Sequence, residues 1–112
     1  MFFNTKKNTE LLRKAIKERS VITFSFMGHT RLVEPYMLGR KKDSDRLILC
    51  AWFLDGFTRS GFIDPNVRWR FYPVSKLRNI EFTERTIKSI RPEFSPEDCN
   101  FKEIIAKIEP NI

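Results

Sequence analysis

One histidine, two cysteines and four glycines are all this chain holds of the residues on which compact reactive sites are usually built. His29, without a neighbouring Cys, Asp or second His, supports no Ser-His-Asp arrangement and no metal-ligand cluster, and it reads as a solvent-facing turn residue. A glycine-rich phosphate loop is missing. No two carboxylates share an apolar setting that would separate their pKa values. Cys50 lies in an apolar run, and Cys99 falls at the start of an expected helix, where Glu97 and Asp98 oppose activation of its thiol. Neither cysteine belongs to a disulfide framework, so a reducing, cytoplasmic compartment is the expectation. The longest apolar run, LILCAWFL, has eight residues, too few for a bilayer. The opening MFFNTKKNTE is too poor in apolar residues for a signal peptide. These absences predict a protein that is not an enzyme, holds no metal or cofactor, and does not enter a membrane.

What is abundant is phenylalanine and positive charge. Eleven phenylalanines in 112 residues imply one domain with a core made largely of aromatic rings. The formal charge is +7 and the pI about 9.7, which favours partners bearing phosphate or carboxylate. Residues 1–20 carry six basic and two acidic groups, residues 21–82 ten and six, and residues 83–112 five and six. The positive surface therefore belongs to the first two-thirds of the chain.

The periodicity predicts a helix over NTELLRKAIKERS, with Leu11, Leu12, Ala15 and Ile16 inward and Asn8 or Thr9 capping its start. VITFSFM alternates as a strand, and Gly28-His29 suits a two-residue hairpin turn with Gly first. TRLVEPYML is a second strand, in which Pro35 requires an edge or a bulge because it has no N–H to donate. RLILCAWF reads as a strand covered on both sides, VRWRFYPV as a fourth and LRNIEF as a fifth. Ser95, Pro96, Glu97 and Asp98 look like a helix start, and Phe101, Ile104, Ile105 and Ile108 fall at helical spacing, with Pro110 to end it. The expected architecture is mainly β with flanking helices (α+β): a small SH3-like or Sm-like antiparallel barrel over about 20–82. A C-terminal helical extension over about 83–112 completes a single domain spanning 1–112.

The segment VRWRFYPVSKL concentrates the candidate chemistry. Alternation puts Arg68, Arg70 and Tyr72 on one face and Val67, Trp69 and Phe71 on the other, core-facing side. On the preceding strand Arg46, Ile48, Cys50 and Trp52 share a face. A guanidinium can grip a phosphate or carboxylate with two parallel hydrogen bonds, and aromatic rings beside it can stack on bases. The same residues could instead cover the outside of a barrel with their stems on apolar neighbours.

The order of motifs resembles the WYL domain, a bacterial ligand-sensing module with an Sm-like barrel, over about Leu11 to Phe82. RLVEPYML matches its R-x-V-x-P-Y-x-L through Arg31, Val33, Pro35, Tyr36 and Leu38. RFYPVSKL matches R-x-F-x-x-x-R-I through Arg70 and Tyr72, with Lys76 and Leu77 as substitutes. In the naming motif Leu47 and Ile48 replace Trp and Tyr and only Leu49 is kept, so a pocket hydroxyl is lost at Ile48. The resemblance implies a non-enzymatic sensing domain used in transcriptional regulation, with Arg31, Tyr36 and Arg70 as ligand contacts and Lys76 as a weaker one. Together with the strand reading, the candidate binding residues are Arg31, Tyr36, Arg46, Arg68, Arg70, Tyr72 and Lys76. The expected ligand is a nucleotide or single-stranded nucleic acid. The alternative is an adaptor or homodimerisation module that docks an acidic protein partner, through the barrel surface or the Ile-rich terminal helix.

Overall fold

A computed structural model describes residues 5–56 and 68–109. Of LDGFTRSGFIDPN (54–66), read from sequence as an irregular loop, the first three residues are strand and the rest, like Val67 and the stop at Pro110, lies outside the described residues. Helix α1 (Thr5–Glu18) presents Leu12, Ala15 and Ile16 to the core. It starts earlier than its sequence suggests, so Asn8 sits within the helix rather than capping it. The Asn8 side chain faces inward and donates to the Val74 and Leu77 carbonyls at 3.1 and 3.0 Å. Thr9 Oγ1 donates back to the Thr5 carbonyl at 2.8 Å. Arg19, at φ 58°, takes the left-handed position that ends the helix.

Six strands follow: β1 (Ser20–Phe26), β2 (His29–Lys41), β3 (Leu47–Gly56), β4 (Trp69–Pro73), β5 (Arg78–Thr86) and β6 (Phe101–Lys107). They form one antiparallel sheet in the order β4-β3-β2-β1-β5, with β6 added to β2. The first hairpin turns at Met27-Gly28, one residue earlier than expected. Both have positive φ, 53° and 82°, the geometry whose twist suits a two-residue hairpin, and His29 becomes the first residue of β2.

Strand β2 is the organiser of the sheet. One edge pairs with β3 along its length. The other edge pairs with β1 as far as Val33 and then with β6 from Met37 onward. Pro35 lies in the gap between those two partners and at a shift in the β3 register, as its missing N–H requires. Pro35 pairs with Ala51 and Met37 with Cys50, which leaves Tyr36 as the extra, bulged residue. The bulge resets the alternation, so Met37 joins the outer face with Cys50 while Leu38 enters the main core.

The sheet curls. β4 and β1 are separated by two strands, which in a flat sheet would set them about 14 Å apart. Yet the rings of Phe24 on β1 and Tyr72 on β4 meet edge-on at 4.9 Å. Ile22, Phe24, Val33, Leu49, Ala51, Phe53 and Tyr72 line the inside of the curl together with the buried stripe of α1. Closure into a barrel does not follow: among the described residues no ladder joins β4 to β5. Strand β4 has only five residues, and the 3-10 turn at Val74–Lys76 carries the chain away to β5, which pairs with β1.

The expected C-terminal helix is also absent. Pro96–Cys99 forms one 3-10 turn, Asn100 reverses the backbone at φ 57°, and β6 begins at Phe101. The Ser95 hydroxyl caps no backbone amide and instead bonds Glu97 Oε1 at 3.2 Å. The segment does pack on its own domain, but as a strand. Register shifts in the β2–β6 ladder space the inward residues unevenly, so Phe101, Ile105 and Ile108 face the protein while Ile104 is 52% exposed. A strand with such shifts reproduces the i, i+4, i+7 pattern of a helix. Gly39 lets β6 lie this close: a Cβ there would collide with the Glu103 carbonyl oxygen and the Phe101 ring. Among the described residues no helix is long and apolar enough to cross a membrane.

Candidate anion-binding cluster

Inside the mouth of the curl, β2 supplies Arg31 and β4 supplies Arg70 and Tyr72. The Arg31 guanidinium lies over the Phe26 ring at 5.2 Å, and that of Arg70 over the Phe53 ring at 5.4 Å. Phe26 meets Tyr72 edge-on at 5.2 Å, which links the two seats. Such stacking holds a guanidinium plane in place and leaves its N–H edge free to bond. Neither arginine makes an ion pair among the described residues.

Among the described residues, Arg31 Nε, Arg70 Nε and Tyr72 Oη are all buried without a hydrogen-bond partner. Arg31 satisfies one terminal nitrogen only, at 3.3 Å from the Phe26 carbonyl. Burial raises the Tyr72 pKa, while the neighbouring Arg31 and Arg70 charges pull the other way. Arg31 thus lies beside the phenol without meeting it in bonding geometry. Three orphaned polar atoms in one aromatic recess represent an unmet demand, since each such group costs about 1–3 kcal/mol. All three are groups that can donate a hydrogen bond, the kind of partner an oxyanion requires.

The other expected contacts fall elsewhere. Tyr36 is on the opposite, outer face and fully buried. Its Oη accepts from the Arg91 backbone N–H at 3.0 Å, and its ring packs on Trp69 and Phe94 at 5.0 and 4.9 Å. Burial raises its pKa, opposed by that hydrogen bond. Tyr36 is therefore part of a structural cap in which Arg91 grips Glu34 and stacks on Trp52 at 4.3 Å. Arg46 is exposed in the β2–β3 connection, at the far end of the ladder: Arg31 pairs with Gly56, whereas Arg40 pairs with Leu47. Lys76 is exposed on the 3-10 turn. Arg68 is spent on the fold, donating to the Phe53 and Leu54 carbonyls at 3.1 and 3.2 Å. Phe71, expected in the core, is 47% exposed beneath the Lys41 ammonium at 5.1 Å.

Phe26 and Phe53, which seat the two guanidiniums, are the residues that sequence reasoning passed over. Their signal was present in the alternation of β1 and β3, which sends both rings inward. A second basic region, an open cleft of about 550 Å³ between α1 and β6, is lined by Arg13, Lys14, Lys17, Arg19 and Lys107. Glu10, Glu18 and Glu109 line it too and offset most of that charge. The Arg31–Arg70–Tyr72 cluster has no carboxylate partner among the described residues and is the better anion site. No three His, Cys, Asp or Glu side chains converge as a metal site among the described residues. Comparison with protein-family models, curated proteins and solved structures returns no match for this chain.

Proposed function

We propose that the protein is a non-enzymatic sensing domain that binds a nucleotide-like or single-stranded nucleic-acid anion at Arg31, Arg70 and Tyr72. The observation that carries this reading is the trio of buried, unpartnered polar atoms seated among aromatic rings. Arginine supplies the phosphate grip, and Phe26 and Tyr72 supply flat apolar surface for a base. The net charge of +7 would speed the encounter with such a ligand. The WYL-like motifs agree with it: Arg31 and Arg70, the two arginines carried over by position, are the two that share the recess. The strand order β4-β3-β2-β1-β5 behind an N-terminal helix, with a 3-10 turn between β4 and β5, is what an opened Sm-like barrel would present. A role in transcriptional regulation is the use this reading implies.

Fluorescence anisotropy with labelled short DNA and RNA single strands, and competition by mononucleotides, tests it directly. Binding should be detectable at low salt and weaken steeply as salt rises. Arg70→Ala should lower affinity about tenfold or more, the loss expected for a charge-assisted contact. No binding at low salt, or unchanged binding by Arg70→Ala, would overturn the reading.

A second reading, a homodimer or an adaptor for an acidic partner, draws on Ile104. It is 52% exposed on β6, a strand paired only with β2 among the described residues. Light scattering across a concentration series separates the two: a dimer lost in Ile104→Lys supports association through β6.

A further inference from the structure

The two cysteines of the chain are far apart in sequence and adjacent in the fold. Cys50 lies on the outer face of β3, and Cys99 closes the 3-10 turn that leads into β6. Both are nearly fully buried and pack with Met37 in a small cluster of their own. The two thiols pack against each other, and their interaction raises the Cys50 pKa and lowers that of Cys99, whose Sγ also donates to the Ser95 carbonyl at 4.0 Å. Lys41 adds to the effect at Cys99: its Nζ donates to the Cys99 carbonyl at 2.9 Å, and its charge favours the thiolate. Burial and the carboxylates of Asp98 and Glu97 act against it. A pocket of about 210 Å³, walled by Trp69, Phe71 and Phe94, reaches both cysteines from outside. It is large enough to admit a molecule the size of hydrogen peroxide.

We propose that Cys50 and Cys99 form a dithiol pair that closes to an intramolecular disulfide when a peroxide enters this pocket. The Cys99 thiolate attacks one peroxide oxygen, the O–O bond breaks, and hydroxide leaves, giving a sulfenic acid at Cys99. The Cys50 sulfur then displaces the sulfenic hydroxyl. The S–S bond forms, and the Cys50 proton departs with that hydroxyl as water. In total two thiols and one hydrogen peroxide give one disulfide and two waters. Cys99 is the attacking residue because the Lys41 ammonium is held against its carbonyl, and Cys50 is the resolving residue. The bond would tether β3 to the turn that delivers β6, so oxidation state would set how firmly β6 is held on β2. A dithiol reductant reverses the reaction. The inference is independent of anion binding, since it uses the opposite face of the sheet.

The test uses the whole chain. Reduced, folded protein is treated with stoichiometric hydrogen peroxide, then unfolded in N-ethylmaleimide and weighed intact. The expected result is a monomer lighter by two hydrogens that takes up no maleimide. A non-reducing digest should join the Cys50 and Cys99 peptides. The oxidised form should melt roughly 5–15 °C higher and return to its original melting point with dithiothreitol. In Cys50→Ser the reaction should stop at Cys99 and yield a dimedone adduct there, whereas Cys99→Ser should leave Cys50 unmodified. Two maleimide adducts after treatment that oxidises the urea-unfolded chain would overturn the proposal, as would disulfides formed only between chains.

Discussion

Arg91 and Glu34 are joined twice, Nε to Oε1 at 2.8 Å and a terminal nitrogen to Oε2 at 3.1 Å, across the outer face of the sheet. This clamp, with Arg91 stacked on Trp52, fastens the segment after β5 onto β2 and β3. Arg91→Ala is expected to cost about 2 kcal/mol in urea unfolding, because it strands the nearly buried Glu34 carboxylate. The figure is held down because Arg91 is about a third exposed. Arg91→Lys keeps the charge but not the fork, and should recover less than half of the loss.

Asn8 closes the far end of the curl by donating to two buried carbonyls. Asn8→Ala should destabilise by about 1–3 kcal/mol, because the buried Leu77 carbonyl loses this donor while the Val74 carbonyl keeps only the Leu77 N–H at 3.2 Å. Asn8→Asp should cost more, since a carboxylate would face two carbonyl oxygens. Thermal melts of the two variants should rank in that order.

Gly39→Ala is a local test of the β2–β6 pairing. The added methyl meets backbone as well as the Phe101 ring, so β6 must shift at a cost of about 1–3 kcal/mol. Hydrogen exchange should quicken at residues 103–107 and stay unchanged in β1 and β5.

Tyr72→Phe separates stability from binding. Removing a buried hydroxyl without a partner should raise stability by about 1 kcal/mol. The same change should weaken anion binding. A variant that is both more stable and a poorer binder is the signature of a group kept for a ligand.

Both tyrosines of the chain have pKa values raised by burial. In the unfolded chain they ionise near pH 10. Above that pH the unfolded state gives up protons that the native state retains, so stability falls as alkalinity rises. Absorbance at 295 nm should show both phenols ionising late, in step with unfolding, and stability below pH 10 should be free of this contribution.

Alternation made β1 to β5 legible, and the rarity of proline in strands located the bulge at Pro35. The same alternation placed Arg70 and Tyr72 on one face, which the curl turns inward toward Arg31. It failed where a residue's neighbours come from outside its own strand. Tyr36 is on the outer face by alternation from Arg31, but the Arg91 and Phe94 that cover it there come from a distant segment with no local signature. Phe71 obeys alternation yet is left uncovered, because what lies over that face is decided by the 94–101 segment. Phe101, Ile104, Ile105 and Ile108 fit a helix by spacing. They form a strand on the free edge of β2, some sixty residues away, where Gly39 leaves room for it. The Arg91–Glu34 clamp and the Cys50–Cys99 contact likewise have no local signature, being products of how β3, β2 and the 87–99 segment meet.

The change of partner along β2 has a consequence for the order in which the protein can be made. Its first half is served by β1, which is already synthesised, while Met37–Lys41 waits for β6. During that interval a row of backbone groups between Tyr36 and Lys42 stands open beside Met37 and Leu38, a template for any passing strand. Arg40 and Lys41 sit on that row, and like charges on two such edges repel, which disfavours pairing between copies before β6 arrives.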